Sequence, residues 1–383
     1  MALTEAVAAV ALWGCLAVIA YVYVGYPITL RLWPARHPRP TGMPALPTVT
    51  VVIAAFNECA HIAATVRNKL AQDYPETLLN VVVVSDGSTD GTDDAVREIA
   101  DARVELLRQE PRQGKTMALN RALERCAAEI IVFSDANSTY AADTVRQLVR
   151  AFEAAEVGYV TGQLEYLERG ETAVGSGSGF YMRYENWLRV LESRVGSVVG
   201  VNGGVDAVRR HLYTPMRADH LPDFILPLRV VAQGARVLYV PKAMSSEYSL
   251  DAPTDEFRMR VRVSLRALHA LSEMRELLSP RHGLFAFQLL VHKWLRYLIA
   301  LPLAGAFLSN ALLVQHPGYA GLMGLQVLCY TLAAVGWASG GRLRWKPVFV
   351  PFYFCLINVA AAVAFVRFLA GERMVLWAPR KGA

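Results

Sequence analysis

The sequence predicts an α/β fold with a mostly parallel sheet, set between membrane-spanning helices near its two ends. Two patterns predict it. From about Pro47 to Tyr248, short β-branched runs alternate with helical stretches of roughly ten to fifteen residues, the spacing of strands joined by crossover helices in a sheet covered on both faces. Outside this region lie the long apolar runs that make the chain 54% hydrophobic while 19% of it stays charged. A third observation bears on function: several of the strands end in acidic or amide residues.

The first element is the apolar run from Ala6 to Leu30, longer than the roughly 20 residues a helix needs to cross a hydrocarbon core. No basic residue precedes it, as a cleaved leader would require, so it reads as an anchor. Arg31, Arg36, His37 and Arg39 follow it, and that asymmetry predicts a cytoplasmic central region on a bacterial-type plasma membrane. The strands are TVTVVIAAF, LNVVVVSD, ARVELLRQ, AEIIVFSD and VGYVTGQL, and the helices between them are HIAATVRNKLAQ, TDDAVREIA, KTMALNRALERC and ADTVRQLVRAFEAA. GSGSGF, from Gly175, follows no strand and reads as a mobile linker rather than a dinucleotide loop. The stretch DEFRMRVRVSLRALHALSEMRELL sets Val261, Leu265 and Leu268 on one helical face and Arg258, Arg260, Arg262 and Arg266 around the others. That pattern suits an interfacial helix on anionic lipid, or one packed on the central domain. Further apolar segments run from Trp294 to Val314, Gly321 to Gly340 and Val348 to Leu369. The chain therefore divides into an anchor with its basic flank (1–40), a central domain (41–250), amphipathic interfacial helices (251–293) and a C-terminal membrane region of about three segments with a basic tail (294–383).

The net charge of +6 and the arginines beside the spans suit an anionic membrane surface. No nucleic-acid-binding signature is present. Five cysteines without metal spacing, three of them in apolar runs, read as free thiols.

The chemistry concentrates in VVVVSDGSTDGTDDAV, residues 81–96. Asp86, Ser88, Asp90 and Gly91 begin like a calcium loop, but its twelfth position would be Arg97, which repels the ion. As a strand-to-helix turn, the same residues supply caps and tight backbone. A third reading is a nucleotide, because ligands in such sheets bind beyond the carboxyl ends of the strands. Asn57 and Glu58, Asp86, and Asp135 with Asn137 all fall there. A nucleoside diphosphate asks for a partner to its base, backbone that approaches closely, and hard oxygen donors for a divalent cation at its phosphates, which Asp86, Gly87, Ser88 and Asp135 would provide.

Taken in order, VVIAAFNE, SDGSTDGT, RQGKTMALNRAL, IVFSDANSTY, YENWLRVLES with NGGVDAVRR, PDFILPLRVVAQGARVLYVPKA and the tail WAPR make a set. With it the chain resembles the membrane-bound family 2 glycosyltransferases of the cellulose-synthase-like and poly-N-acetylglucosamine-synthase-like kind. The resemblance implies a GT-A type nucleotide-sugar-binding domain that transfers a sugar, with inversion, from a nucleotide-sugar donor such as a UDP-sugar to a lipid or glycan acceptor at the membrane face. It implies that Ala55, Glu58, Asp86, Lys115 and Asp135 bind the donor. Asp135 and Asn137 would hold Mg²⁺ or Mn²⁺, and Asp223 would be the general base. Gly203, Gly204 and Arg262 would face the acceptor. Four positions depart from the family pattern. Asn137 replaces a carboxylate, Pro222 replaces an acidic neighbour of Asp223, and Met259 and Val263 stand where processive members carry the Gln and Trp of an acceptor platform. The departures favour one or few additions over a processive polysaccharide synthase, and they leave a non-catalytic nucleotide-sugar sensor as a rival. A transporter is disfavoured, because the apolar segments hold almost no acids or paired charges.

Overall fold

The computed structural model describes residues 3–39, 42, 45–167, 173–248, 252–343 and 345–375. The five strands read from the sequence form as β1 (Val49–Ala55), β2 (Leu79–Asp86), β3 (Val104–Gln109), β4 (Ile130–Asp135) and, after the two-residue β5 (Thr139–Tyr140), β6 (Val157–Leu167). Two more, β7 (Val205–Arg209) and β8 (Arg236–Tyr248), complete an eight-stranded sheet in the order β3-β2-β1-β4-β7-β6-β8-β5. The half β3-β2-β1-β4 is parallel throughout. β7 then runs antiparallel to both β4 and β6, and β5 antiparallel to β8, so the sheet is mixed while its other six strands share one direction, mostly parallel as expected. The five residues of β7 follow a glycine pair and lack the longer β-branched run that marks the other strands.

Both faces of the sheet are covered, which explains unbroken valine runs where a half-exposed strand would alternate with polar residues. Val49, Val51 and Ile53 face one way, beneath Ile62, Val66 and Leu148. Val52, Ala54, Val82 and Val84 face the other, beneath Leu119, Phe224 and Leu271. Because β2 and β4 flank β1 on opposite sides, the strand order reverses at β1 and β4, and the crevice of such a sheet opens there, at the carboxyl ends.

Among the described residues, three helices are long and apolar enough to cross a membrane: Leu3–Leu32, Pro317–Ala338 and Lys346–Leu369. The run expected to be a span from Trp294 falls in two helices, Leu284–Leu295 and Ala300–Ala311, which together are long and apolar enough for a span and meet at 60°. The tail WAPR lies outside the described residues.

Two helices join the sheet domain to these segments. One, Ala173–Val195, incorporates the GSGSGF stretch that the sequence suggested was a linker. Its Leu188, Leu191 and Val195 pack on Val22, Tyr26 and Leu30 of the N-terminal helix, and Arg194 donates to the carbonyls of Leu30, Arg31 and Trp33 at 2.6–3.1 Å, capping that helix. The other, Pro253–Glu273, is the arginine-rich amphipathic helix. Its apolar face divides between two protein surfaces: Ala267, Ala270 and Leu271 enter the sheet core, while Val261, Leu265 and Leu268 pack on Ala360 and Ala364 of Lys346–Leu369. Arg266 is buried and donates to Thr116 Oγ1 and the Asp219 and His220 carbonyls. Protein packing, more than a lipid surface, occupies this helix.

At the junction Glu192 is fully buried and accepts from Tyr26 Oη at 2.5 Å, from the Val199 amide at 3.0 Å and from His292 Nδ1 at 2.6 Å. Removing one partner of a buried charged network leaves the others desolvated and unpaired. Glu192→Ala is therefore expected to destabilise the protein by about 3 kcal/mol, seen as a clear fall in Tm of the detergent-solubilised chain, whereas Arg258→Ala, at an exposed site, should leave the Tm almost unchanged.

Candidate active site

The acid-rich loop after β2 is mostly consumed in stitching itself to the loop after β1. Ser88 Oγ accepts from the Asn57 amide at 3.1 Å, Thr92 Oγ1 from the Glu58 amide at 2.9 Å, and Asp90 from the Cys59 and Thr92 amides at 3.0 Å. Asn57, at φ 53, returns the bond by accepting from the Thr89 amide at 2.9 Å. Asp93 is paired with Arg108 at 2.6 Å. Short oxygen-bearing side chains are what two apposed loops need, since their amides have no ladder partners.

Asp86 faces the loop that follows β3. It is fully buried. Its carboxylate accepts from Gln109 Nε2 at 2.6 Å and from the Gln113 and Gly114 amides at 2.8 and 2.9 Å, with Arg112 at 3.6 Å. Arg112 also stacks on Phe56, 3.4 Å from the ring centroid. Asp86 thereby fastens the loop that leads into the helix Lys115–Arg125 and aims its first residue. Ala55 is also fully buried.

One cavity of about 370 Å³ opens at the carboxyl ends of β1 and β4, within the size range of small-molecule sites. Glu58, Lys115, Asp135, Asn137, Gly203 and Asp223 all line it, as does Arg262 further along. Ala55 and Asp86 do not line it. Lys115 Nζ is ion-paired with Asp135 Oδ1. Burial pushes the Lys115 ammonium down, but the charges of Asp135 and Asp223 outweigh burial and hold its pKa above the ordinary lysine value. Gly203 and Gly204 are the backbone around which the carboxylates gather. A Cβ on Gly203 would lie 2.4 Å from Asp223 Oδ2; one on Gly204, where φ is 89°, would lie 3.0 Å from Asp135 Oδ2 and 3.1 Å from Glu247 Oε1. Neither position accepts a side chain without displacing a carboxylate.

Glu247, on β8, lines the same cavity and was not singled out in the sequence. An acid near the end of a strand was the available signal, but that strand had not been recognised. His220 and Asp219, the neighbours of Asp223, are turned to other work. His220 Nδ1 accepts from the Arg217 amide at 3.1 Å, which leaves the proton on Nε2 facing Glu273 at 2.9 Å, and Asp219 pairs with Arg217 and Arg373. At the far end Met259 and Val263 form part of the wall.

Among the described residues, no group of three or more His, Cys, Asp or Glu side chains is arranged to hold a metal ion. Asp135 and Asn137 nevertheless present hard oxygen donors to the cavity. That set fits an ion of the magnesium type, which binds through one or two protein oxygens and is completed by substrate phosphates.

Residues 50–210 match the model of the family described as Glycosyl transferase family 2. The chain carries a glycosyl transferase family 2 domain. The match covers β1 to β7, and so every strand end that contributes to the cavity except that of β8. Curated relatives include a beta-monoglucosyldiacylglycerol synthase of Trichormus variabilis, 29% identical over 46% of this chain and 38% of that one. An N-acetylglucosaminyltransferase of Azorhizobium caulinodans is 28% identical over 58% of this chain and 60% of that one. The chain thus spans between about two-fifths and three-fifths of the length of these relatives. Among solved structures, the mannosyltransferase PcManGT of Pyrobaculum calidifontis, in complex with GDP-Man and Mn2+, superimposes with a TM-score of 0.71 at 24% identity, covering 97% of this chain and 100% of that one. The family 2 domain has the GT-A-like mixed sheet.

The turn between β4 and β5, which carries Asn137, is pinned from below by the helix Ile62–Leu70. Lys69, fully buried, donates to the Ser138 carbonyl at 2.7 Å and lies 3.7 Å from the centroid of the Tyr140 ring. Tyr140 Oη is 2.9 Å from the Gly204 carbonyl. Burial pushes the Lys69 ammonium down to about 7, against the opposing charges of Glu247 and Asp135. The unfolded lysine titrates near ~10.4, so between the two values the unfolded chain binds more protons and stability rises with pH. Below about 7 both states are protonated and this contribution is lost. Thermal unfolding at pH 7, 8 and 9 should therefore show Tm rising with pH in the native chain, and Lys69→Met should flatten that rise.

Proposed function

We propose that this chain is an inverting glycosyltransferase, moving a sugar from a nucleoside-diphosphate-sugar donor to a lipid or lipid-linked glycan acceptor at the cytoplasmic face of a plasma membrane. The observation that carries the reading is the convergence of Lys115, Asp135, Asn137 and Asp223, from separate elements, on one cavity at the carboxyl ends of β1 and β4. Family membership of the domain supports the reaction class. The beta-monoglucosyldiacylglycerol synthase among the relatives supports a lipid acceptor. The basic residues that follow the first apolar helix support the cytoplasmic orientation.

In this reading Glu58, Lys115 and Asp135 hold the donor. Ala55 and Asp86 set the floor beneath it, Asp86 by fixing the loop that delivers Lys115. Asp135 and Asn137 are the residues that would hold Mg²⁺ or Mn²⁺. The cation supplies neutralisation of the diphosphate charge when bound, and the Mn2+ of the mannosyltransferase structure supports that assignment. Asp223 takes the proton of the acceptor hydroxyl as its oxygen attacks the anomeric carbon. The bond from that carbon to the diphosphate oxygen breaks, and its electron pair leaves with the nucleoside diphosphate. Lys115 steadies the charge that develops on the leaving oxygens. Gly203 and Gly204 let the acceptor and both carboxylates share one small space, with Arg262 on the acceptor side. The walls formed by Met259 and Val263 support one or few additions rather than processive synthesis.

The test is a panel of labelled nucleotide sugars, UDP-sugars first, given to the purified chain with lipid extract. Asp223→Asn should lower kcat by roughly 10²–10⁴-fold, the contribution of a positioned general base, while donor binding by calorimetry persists. Asp135→Ala should abolish the dependence of donor binding on divalent cation. Undiminished, cation-dependent binding in that variant would remove Asp135 from the metal role.

A further inference from the structure

Asp223 is the second residue of the helix Pro222–Ala232, and the loop 213–221 that leads into it carries no strand or helix of its own. Other groups must therefore fix where the base stands. Glu273 engages His220 through its ring, at 2.9 Å from Nε2. Arg266 engages the same residue through its backbone, donating to the His220 carbonyl and, at 3.2 Å, to that of Asp219. The His220 carbonyl also accepts from Thr116 Oγ1 at 2.9 Å, and Thr116 Oγ1 in turn accepts from Arg266 at 3.0 Å. Thr116 directly follows Lys115. The triangle of Thr116, Arg266 and the His220 carbonyl thus ties the donor-side lysine to the backbone that delivers Asp223.

Arg266 is 7% exposed, and its neighbours Ala267, Ala270 and Leu271 belong to the apolar core. A guanidinium in that place gives up hydration that an apolar side chain would never have held. Burial pushes its pKa down to about 10, and the negative charge of Asp223 is the largest influence acting the other way. The same carboxylate acts on Lys115. Asp223 therefore stands within electrostatic reach of two cations, one on the donor side and one behind its loop, and both line the cavity. The planar fork of an arginine meets a hydroxyl and two carbonyls at once, which one ammonium does not reproduce. The sequence pointed to Arg262 on this helix; the bonds to the base loop described above belong to Arg266, one turn further on.

We infer that Arg266 is a positioning residue for sugar transfer: it holds the His220 carbonyl on Thr116 and so sets Asp223 at a fixed place relative to a donor bound at Lys115. This rests on the glycosyl-transfer reading and adds to it the residue that aligns base with donor. Arg266 itself exchanges no proton. Its loss leaves the donor bound but lets the carboxylate drift from the attacking hydroxyl, and a misplacement of about 1 Å can cost roughly 10²-fold in rate.

The experiment measures kcat and donor Kd for variants of the full chain in detergent micelles, with the donor and acceptor identified by the panel. Arg266→Gln should lower kcat by roughly 10–10²-fold, while the donor Kd stays within about twofold of native. A cycle with Asp223→Asn separates positioning from folding: once the base is gone, Arg266→Gln should cost less than about twofold more in kcat. Arg229→Gln is the control. Arg229 holds the same loop through the Pro215 carbonyl at 2.8 Å and Glu273 at 2.9 Å, outside the triangle, so its loss should lower Tm and leave kcat unchanged. Should Arg266→Gln fail to fold, Thr116→Val reads the same coupling, through a smaller fall in kcat that also vanishes in the Asp223→Asn background. Four results would each overturn the inference while the glycosyl-transfer reading stands: a native kcat in the folded variant, an equal proportional loss in the Asp223→Asn background, an equal loss in Arg229→Gln, or a donor Kd weakened in step with kcat. A native chain that binds no nucleotide sugar in calorimetry would overturn that reading instead.

Discussion

Three carboxylates close to one another repel, and the site exists because a side-chain-free backbone and one ammonium make that crowding tolerable. Asp223 lies against Gly203, and Asp135 and Glu247 lie against Gly204, at distances a methyl group would violate. Lys115 supplies the opposing charge. Each of the other arrangements serves this one. β7 is inserted antiparallel between β4 and β6, so that the glycine pair preceding it crosses the end of β4. Tyr140, held over Lys69, fixes the Gly204 carbonyl. Asp86 ties down the loop from which Lys115 emerges.

The same economy links the sheet to the apolar helices. The helix Ala173–Val195 carries Arg194 into the carbonyl end of the N-terminal helix and Glu192 into the buried network with Tyr26 and His292. The helix Pro253–Glu273 divides its apolar side chains between the sheet core and Lys346–Leu369. Its Glu273 meanwhile gathers Arg217, His220 and Arg229. The domain and the apolar helices therefore share hydrophobic surface and buried charge, and the cavity they enclose runs from strand ends to an aromatic chamber.

Much of the fold was legible because its signals are local. The parallel strands β1 to β4 announce themselves by valine and isoleucine runs, and the intervening helices by amphipathic spacing. The apolar ends are visible from composition alone. β7 escaped notice because five residues after a glycine pair carry little β signal, and the sheet became mixed as a result. The GSGSGF stretch misled because glycine and serine favour linkers intrinsically, whereas the helix that contains them is held further along by Leu188, Leu191 and Val195 on the N-terminal helix. The arginine-rich helix had a pattern equally suited to lipid and to protein, and only its neighbours distinguish the two.

The sequence by itself determined which residue types stand at the strand ends, which segments are apolar enough to leave water, and the order of the motifs that relate the domain to its family. Those follow from periodicity and composition, which act over a few residues. The tertiary structure decided which of several acids share a cavity: Asp135, Asp223 and the unanticipated Glu247 meet there, while Asp86, in the most acidic stretch of the chain, is buried in fastening a loop. An aspartate that caps amides and one that faces a ligand look identical along a chain, because the difference lies in which distant backbone donors and charges surround the carboxylate once the sheet has closed.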